Sequence, residues 1–279
     1  MTHKTRSRRG DTIHERIISI FVILLTVVGA LARSATQPTA TQPVVLDSGI
    51  TPADVAKRPY IDYVRECLDL LMQYGTDRYG PEHLPILVTI LDVQTRDCPR
   101  DPLPPEEEDR VGRRGRRGPA GANLYLDQPA LHAMYLLSRV TGDDRYADFA
   151  NKEIACYLSR LVDEKGLIWW GWHRHYDVYQ DKKDGHVGNF HEIRFQRAMW
   201  PQLWEVGPKA TQREIEAIWQ WHVADKTTGL INRHDDGKPG CDFAFTAGEI
   251  ACAFAFLYGK TNDLIPVAHA RADRWVGIP

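Results

Sequence analysis

Three short stretches of the chain set imidazoles beside charged side chains: "WGWHRHYD" with His173 and His175, "FHEIRF" with His191 and Glu192, and "NRHDDG" with Arg233 and His234. Two histidines and a glutamate drawn from these stretches would form the protein's share of a coordination shell. Nitrogen and oxygen donors without thiolates suit a borderline or hard divalent ion such as manganese, cobalt, nickel or zinc, with open positions for a substrate oxygen. The ligands are scattered and no HExxH motif compacts them, so spacing alone leaves each histidine open to a structural, hydrogen-bonded role. His186 and Asp235 stand close by as additional ligand candidates.

Aromatic residues crowd the same stretches. Trp170 and Trp172 straddle Gly171 beside the first histidines and are the candidates for lining a site, since sugar rings stack on indole faces. Other aromatics, such as Trp200 and Trp204, fall at helical spacing and read as core. Arg174, Arg194 and Arg197 are charges that could meet an anionic ligand, or lie on a solvated face with partners such as Asp177 and Glu205. Asp127, Asp177 and Asp242 are available for acid/base work, but no pair of them is marked out by position.

The elements that must position these residues read as helices. "TPADVAKRPYIDYVRECLDLLMQYG" offers Thr51 as a cap, Pro52 in the first turn and Gly75 as a stop. In "DQPALHAMYLLSRVTG", Asp127 can cap, Pro129 enters the first turn, and Leu131, Met134, Tyr135 and Leu137 form an apolar stripe that includes His132. "YLLSRVTGDDRYADFA" and "FLYGKTNDLIPVAHA" look alike as helix-turn-helix units, and "LWEVGPKATQREIEAIWQWHV" is a looser third copy turning at Gly207-Pro208. Repeated helical hairpins bury their faces by stacking on neighbours, which predicts an all-α fold, a solenoid or closed α/α toroid. Long segments between hairpins would gather at one end and carry the function.

The chain has 279 residues, 43% of them apolar, enough to bury a core, and its net charge of -2 provides no basic field for nucleic acid. The basic run "RVGRRGRRG" follows "PPEEED" and reads as a charged surface loop. A basic amino-terminal stretch, an apolar run and small residues at Ala30 and Ala32 predict a signal peptide over 1–32, followed by a Ser/Thr/Gln/Pro linker over 33–45 and a helical domain over 46–279. The expectation is a secreted or periplasmic protein with no stable membrane span after cleavage. The cysteines, Cys67, Cys98, Cys156, Cys241 and Cys252, include no CxxC and disclose no pairing.

Taken continuously, His191 to Gly237, "HEIRFQRAMWPQLWEVGPKATQREIEAIWQWHVADKTTGLINRHDDG", resembles the pectate lyases of polysaccharide lyase family 2. The likeness lies in a His-Glu pair, a Pro-aromatic helix, an "AT...I.A.W..HV.D" pattern and an Arg-His pair. It extends more weakly through "YGTDRYGPEHLPILVTILD", "GANLYLDQPAL" and the carboxyl-terminal residues. The resemblance implies an α/α toroid that binds a transition metal, manganese foremost, with cobalt, nickel or zinc as alternatives, and cleaves de-esterified polygalacturonate by β-elimination. It places Glu192 and His234 at metal-ligand positions and Arg233 at the position of the base. The remaining ligand is His173, with His175 as the alternative; Trp170, Trp172, Arg174, His175 and Arg194 would contact the acidic polysaccharide.

An arginine normally stays protonated, so the base role of Arg233 rests on the resemblance, whereas its planar fork by itself suits a clamp on a substrate carboxylate. The family's enzymes are longer, and "ARADRWVGIP" falls part-way through a helical hairpin, which predicts a shortened toroid. Two other functions fit the same residues less fully: an α/α-barrel hydrolase of unsaturated uronyl sugars, and a carbohydrate-binding protein without turnover.

Overall fold

A computed structural model describes residues 57–100, 121–185, 187–193, 197–238 and 244–262. The expected signal peptide, linker, Thr51 cap and basic run, with His186, Arg194, Cys241 and Asp242, lie outside the described residues.

Helix α1 (Tyr60–Leu70) follows Pro59 and passes into a π turn, Leu71–Gly75, after which Thr76 is extended, so Gly75 does mark the end of the helical stretch. Helix α2 (Leu124–Thr141) starts three residues earlier than its expected cap. Asn123 caps it by accepting the Tyr125 N–H at 3.1 Å, and Asp127 lies inside the first turns, buried. Pro129 therefore sits within the helix and has no N–H to give to the Tyr125 carbonyl; the Gln128 side-chain amide donates to that carbonyl instead, at 3.1 Å.

Gly142, with φ 73°, ends α2 in the left-handed conformation that glycine adopts without a side-chain penalty, and α3 (Arg145–Arg160) begins at once. Tyr146, Ala150, Ile154 and Tyr157 recur at helical spacing on α3 and are fully buried with Leu131 and Met134 of α2. The expected hairpin is present. His132, expected in the core, is exposed.

Helices α4 (Trp200–Val206) and α5 (Pro208–His222) form the second hairpin around Gly207 and Pro208. A Cβ at Gly207 would come within 2.8 Å of Leu158 Cδ1, so the absent side chain lets this turn close on α3. Helix α6 (Ala244–Thr261) packs on α5, with Trp219 and Phe254 ring centroids 6.0 Å apart. No described helix is long and apolar enough to cross a membrane.

The fold is not all-α. Strands β1 (Gly121–Ala122), β2 (Arg174–Asp177) and β3 (Lys182–Gly185) form an antiparallel sheet in the order β1-β2-β3, and β4 (Val223–Asp225) pairs with β5 (Leu230–Ile231). Two sheets make this a mixed α/β fold and overturn the expected α/α toroid. The physical reason lies in β2: Arg174, His175, Tyr176 and Asp177 are all buried, so no apolar/polar alternation betrays a strand. Its burial is achieved by ion pairs and backbone pairing, which a hydrophobic pattern does not register.

Candidate metal centre

His173 sits in the loop leading into β2. Gly171, at φ 102°, lets that loop lie against the backbone of Glu192; a Cβ there would be 2.9 Å from the Glu192 carbonyl oxygen and 3.1 Å from its nitrogen. The Asn123 amide donates to the carbonyls of Gly171, at 2.6 Å, and Arg174, at 2.9 Å, and so holds the loop on both sides of His173.

Glu192 and His234 pair in an isolated antiparallel bridge, and the Ile193 N–H donates to the Arg233 carbonyl at 3.0 Å. Asn232 orients the second segment by accepting the His234 N–H at 2.9 Å.

One ligand atom from each of His173, Glu192 and His234 comes within 4.8 Å of the other two. His173 Nε2 is 3.6 Å from one Glu192 oxygen, and His234 Nε2 is 3.6 Å from the other. Arg233 Nε lies 3.2 Å from the oxygen nearer His234. Glu192 is buried, while the two histidines and Arg233 are partly open to solvent. A buried carboxylate between two accessible imidazoles has the donor set and the open side that a divalent cation requires.

Phe190 gives the centre an apolar wall: its ring stacks on His234 at 5.3 Å and meets the edge of His173 at 6.2 Å.

Behind this centre His191 and His222 form a directed chain. The Trp170 indole can only donate, and does so to His191 Nε2; the Asn232 carbonyl can only accept, and His222 Nδ1 lies 2.9 Å from it. The bond of 2.8 Å between them must then run from His191 Nδ1–H to His222 Nε2, with both rings neutral. Burial accordingly pushes both imidazoles down to about 3, with repulsion from Arg174 adding to the effect at His191 and from His191 at His222. Glu214, 3.2 Å from His191 Nε2, is pushed up to about 8 by burial and stands as a neutral acid at lower pH.

The model of the family described as periplasmic pectate lyase matches residues 114–248. That stretch holds His173, Glu192, Arg233 and His234. Residues 114–248 are similar to the periplasmic pectate lyase family. The chain is also similar to a pectate disaccharide-lyase of Dickeya dadantii (strain 3937), 25% identical over 180 residues, which cover 63% of this chain and 31% of that protein. The chain thus spans under a third of that relative's length.

Within this matched stretch the expected ligands His173, Glu192 and His234 converge, with Arg233 at their edge. His175, the alternative ligand, is buried in β2, paired with Asp184. Trp170 is buried against His191 and Trp200, and Trp172 is half-buried against the core. Arg174 is buried and ion-paired to Asp163 at 2.9 Å and to Asp235 at 3.2 Å, so its charge faces protein carboxylates.

The extra ligand candidate Asp235 faces the same cluster and stands outside the ligand group. Asp177 accepts the N–H groups of Tyr179 and Gln180, and Asp127 is buried beside Glu153, so neither presents a carboxylate for hydrolysis. Asn123 and Phe190 carried no signal in sequence, because a capping amide and a stacking ring are recognised only by what they touch. Among the described residues, Cys67, Cys156 and Cys252 are free thiols.

Proposed function

We propose that this chain is an exported, metal-dependent polysaccharide lyase that cleaves polygalacturonate, or a related uronate polymer, by β-elimination. The observation that carries the proposal is the convergence of His173, Glu192 and His234 within 4.8 Å, with Arg233 Nε 3.2 Å from the shared carboxylate. The family description supports export to the periplasm or beyond.

The reaction removes the proton at C5 of a uronate, a position made acidic only when charge on the adjacent carboxylate is stabilised. A divalent cation bound by the two imidazoles and Glu192 would supply that stabilisation electrostatically. Manganese leads the candidates, before cobalt, nickel and zinc.

Arg233, at the position the family resemblance gives to the base, then accepts the C5 proton. The C5–H electron pair becomes the C4–C5 double bond, the C4–O4 bond breaks, and the departing oxygen takes a proton from water. Glu192 orients Arg233 by accepting from its Nε, and Phe190 excludes water from one side of the imidazoles. A second role for Arg233 has its own support: the contact to Glu192 is one that a charged guanidinium makes, and a charged fork at the open edge of the site would clamp a uronate carboxylate.

The test is turnover of polygalacturonate by chelator-stripped protein with manganese, cobalt, nickel, zinc or calcium restored singly, read as the ultraviolet absorbance of unsaturated product. Activity restored by a transition metal and abolished in Glu192→Gln and Arg233→Ala supports the lyase. Consumption of unsaturated ends would indicate a hydrolase, and cation binding without turnover a carbohydrate-binding protein.

A further inference from the structure

The three ligands come from separate segments, and the residue next in chain to each one meets the others in a single buried cluster. Arg174 follows His173, His191 precedes Glu192, and Asp235 follows His234. The Asp235 carboxylate joins them: one oxygen accepts the His191 N–H at 2.9 Å, and the other pairs with Arg174 at 3.2 Å.

Both side chains are almost wholly enclosed, with Arg174 4% and Asp235 1% exposed. Lys165 closes the group by donating to the Asp235 carboxylate at 2.8 Å and to its backbone carbonyl at 2.9 Å. The remaining edges of Arg174 reach the Asn189 carbonyl at 2.7 Å and Asp163 at 2.9 Å, and its flat face covers Trp169 at 4.5 Å.

Breaking a buried ion pair costs far more than the pair contributes against an apolar core, so charges placed here specify geometry more than they add stability. A cation site needs its ligands fixed to a fraction of an ångström before the ion arrives, and partners outside the coordination shell supply that fixation.

We propose that Asp235, acting with Arg174, is the positioning residue of this centre, tying the three ligand-bearing segments together through the His191 backbone N–H and the Arg174 guanidinium. This rests on the assignment of His173, Glu192 and His234 as a cation site. Asp163 pairs with Arg174, but its side-chain oxygen accepts hydrogen bonds from Lys165 and Leu167 of its own turn and not from another ligand-bearing segment, which makes it the internal control.

The experiment measures Mn2+ affinity of the full chain by competition with a chromophoric chelator, alongside the visible spectrum of the Co2+ form, for wild type, Glu192→Gln, Asp235→Asn, Arg174→Lys and Asp163→Asn. Asp235→Asn is expected to weaken binding about 10- to 100-fold and Arg174→Lys several-fold, while Asp163→Asn stays within about threefold of wild type. Near-ultraviolet circular dichroism checks folding, and if Asp235→Asn does not fold, Arg174→Lys decides.

The proposal is overturned if both Asp235→Asn and Arg174→Lys bind and colour like wild type, or if Asp163→Asn loses as much affinity as Asp235→Asn, which would mark a general packing role. If wild type binds no Mn2+, or Glu192→Gln binds it equally well, the cation site itself fails and this inference falls with it. Wild-type binding that Glu192→Gln loses, with Asp235→Asn and Arg174→Lys unaffected, overturns the positioning role alone.

Discussion

Glu192 and His234 face each other across an antiparallel bridge, and their side chains meet with 3.6 Å between carboxylate oxygen and imidazole nitrogen. Backbone pairing therefore fixes the distance between these two candidate ligands. Replacing Glu192 by Gln keeps its shape and removes its charge. The expected result is loss of Mn2+ affinity by more than about 100-fold, beyond the effect of an outer partner, measurable by calorimetry.

Gly171→Ala tests how closely the His173 loop must approach. The new methyl would collide with the Glu192 backbone, and φ 102° is strained for any side chain. A cost of about 1–3 kcal/mol is expected. It would appear as a lower thermal midpoint together with weaker cation binding, because the loop and Glu192 must separate.

Asn123→Asp should separate capping from loop anchoring. Aspartate caps as well as asparagine. It cannot donate to the Gly171 and Arg174 carbonyls, so a buried carboxylate would confront two carbonyl oxygens. A loss of about 2–3 kcal/mol in urea unfolding is expected, against a few tenths if capping were the residue's sole contribution.

Asp127 and Glu153 are buried carboxyls between α2 and α3, and burial raises both above the ordinary carboxylate range. In the folded chain they hold protons that the unfolded chain has released, so their contribution to stability is full at low pH and declines as pH rises through the folded values. Each group changes stability by roughly 1.4 kcal/mol per pH unit in that window. Asp127→Asn, which imitates the neutral acid, should raise the urea midpoint at pH 8 and leave it nearly unchanged at pH 4.

His222 imposes the opposite slope. Its folded value of about 3, set by burial and then by His191, lies below the ordinary 6.5, so the unfolded chain binds the extra proton between the two. Stability is complete above 6.5 and falls as pH drops through the window. His222→Gln keeps a donor for Asn232 and an acceptor for His191. Acid titration of its urea midpoint should therefore be flatter than that of wild type.

The candidate site is legible in sequence because it advertises itself by residue type: His173, Glu192, Arg233 and His234 all sit in stretches dense in imidazole and charge. The two hairpins were legible because Gly142 and Gly207-Pro208 punctuate helices whose apolar residues recur every three or four positions. Strand β2 was not, since its four buried residues include two charges and a histidine that read as surface. Arg174 and Asp235 read in sequence as residues of the site itself, and in the fold they pair with each other. A charge signals solvent or ligand in sequence, and only the fold reveals that its partner is another charge.

The bridge between Glu192 and His234 also bears on the order of folding. It closes a loop that contains α4, α5 and the β4–β5 ribbon, and loop closure costs conformational entropy that grows with the length of free chain. Local contacts within the helical pair form at low entropic cost and shorten the effective loop, so the ends are drawn together after the interior has condensed. Convergence of Glu192 and His234 is then a late event, and damage to the distant turn at Gly207 would surface as slower formation of this bridge during refolding.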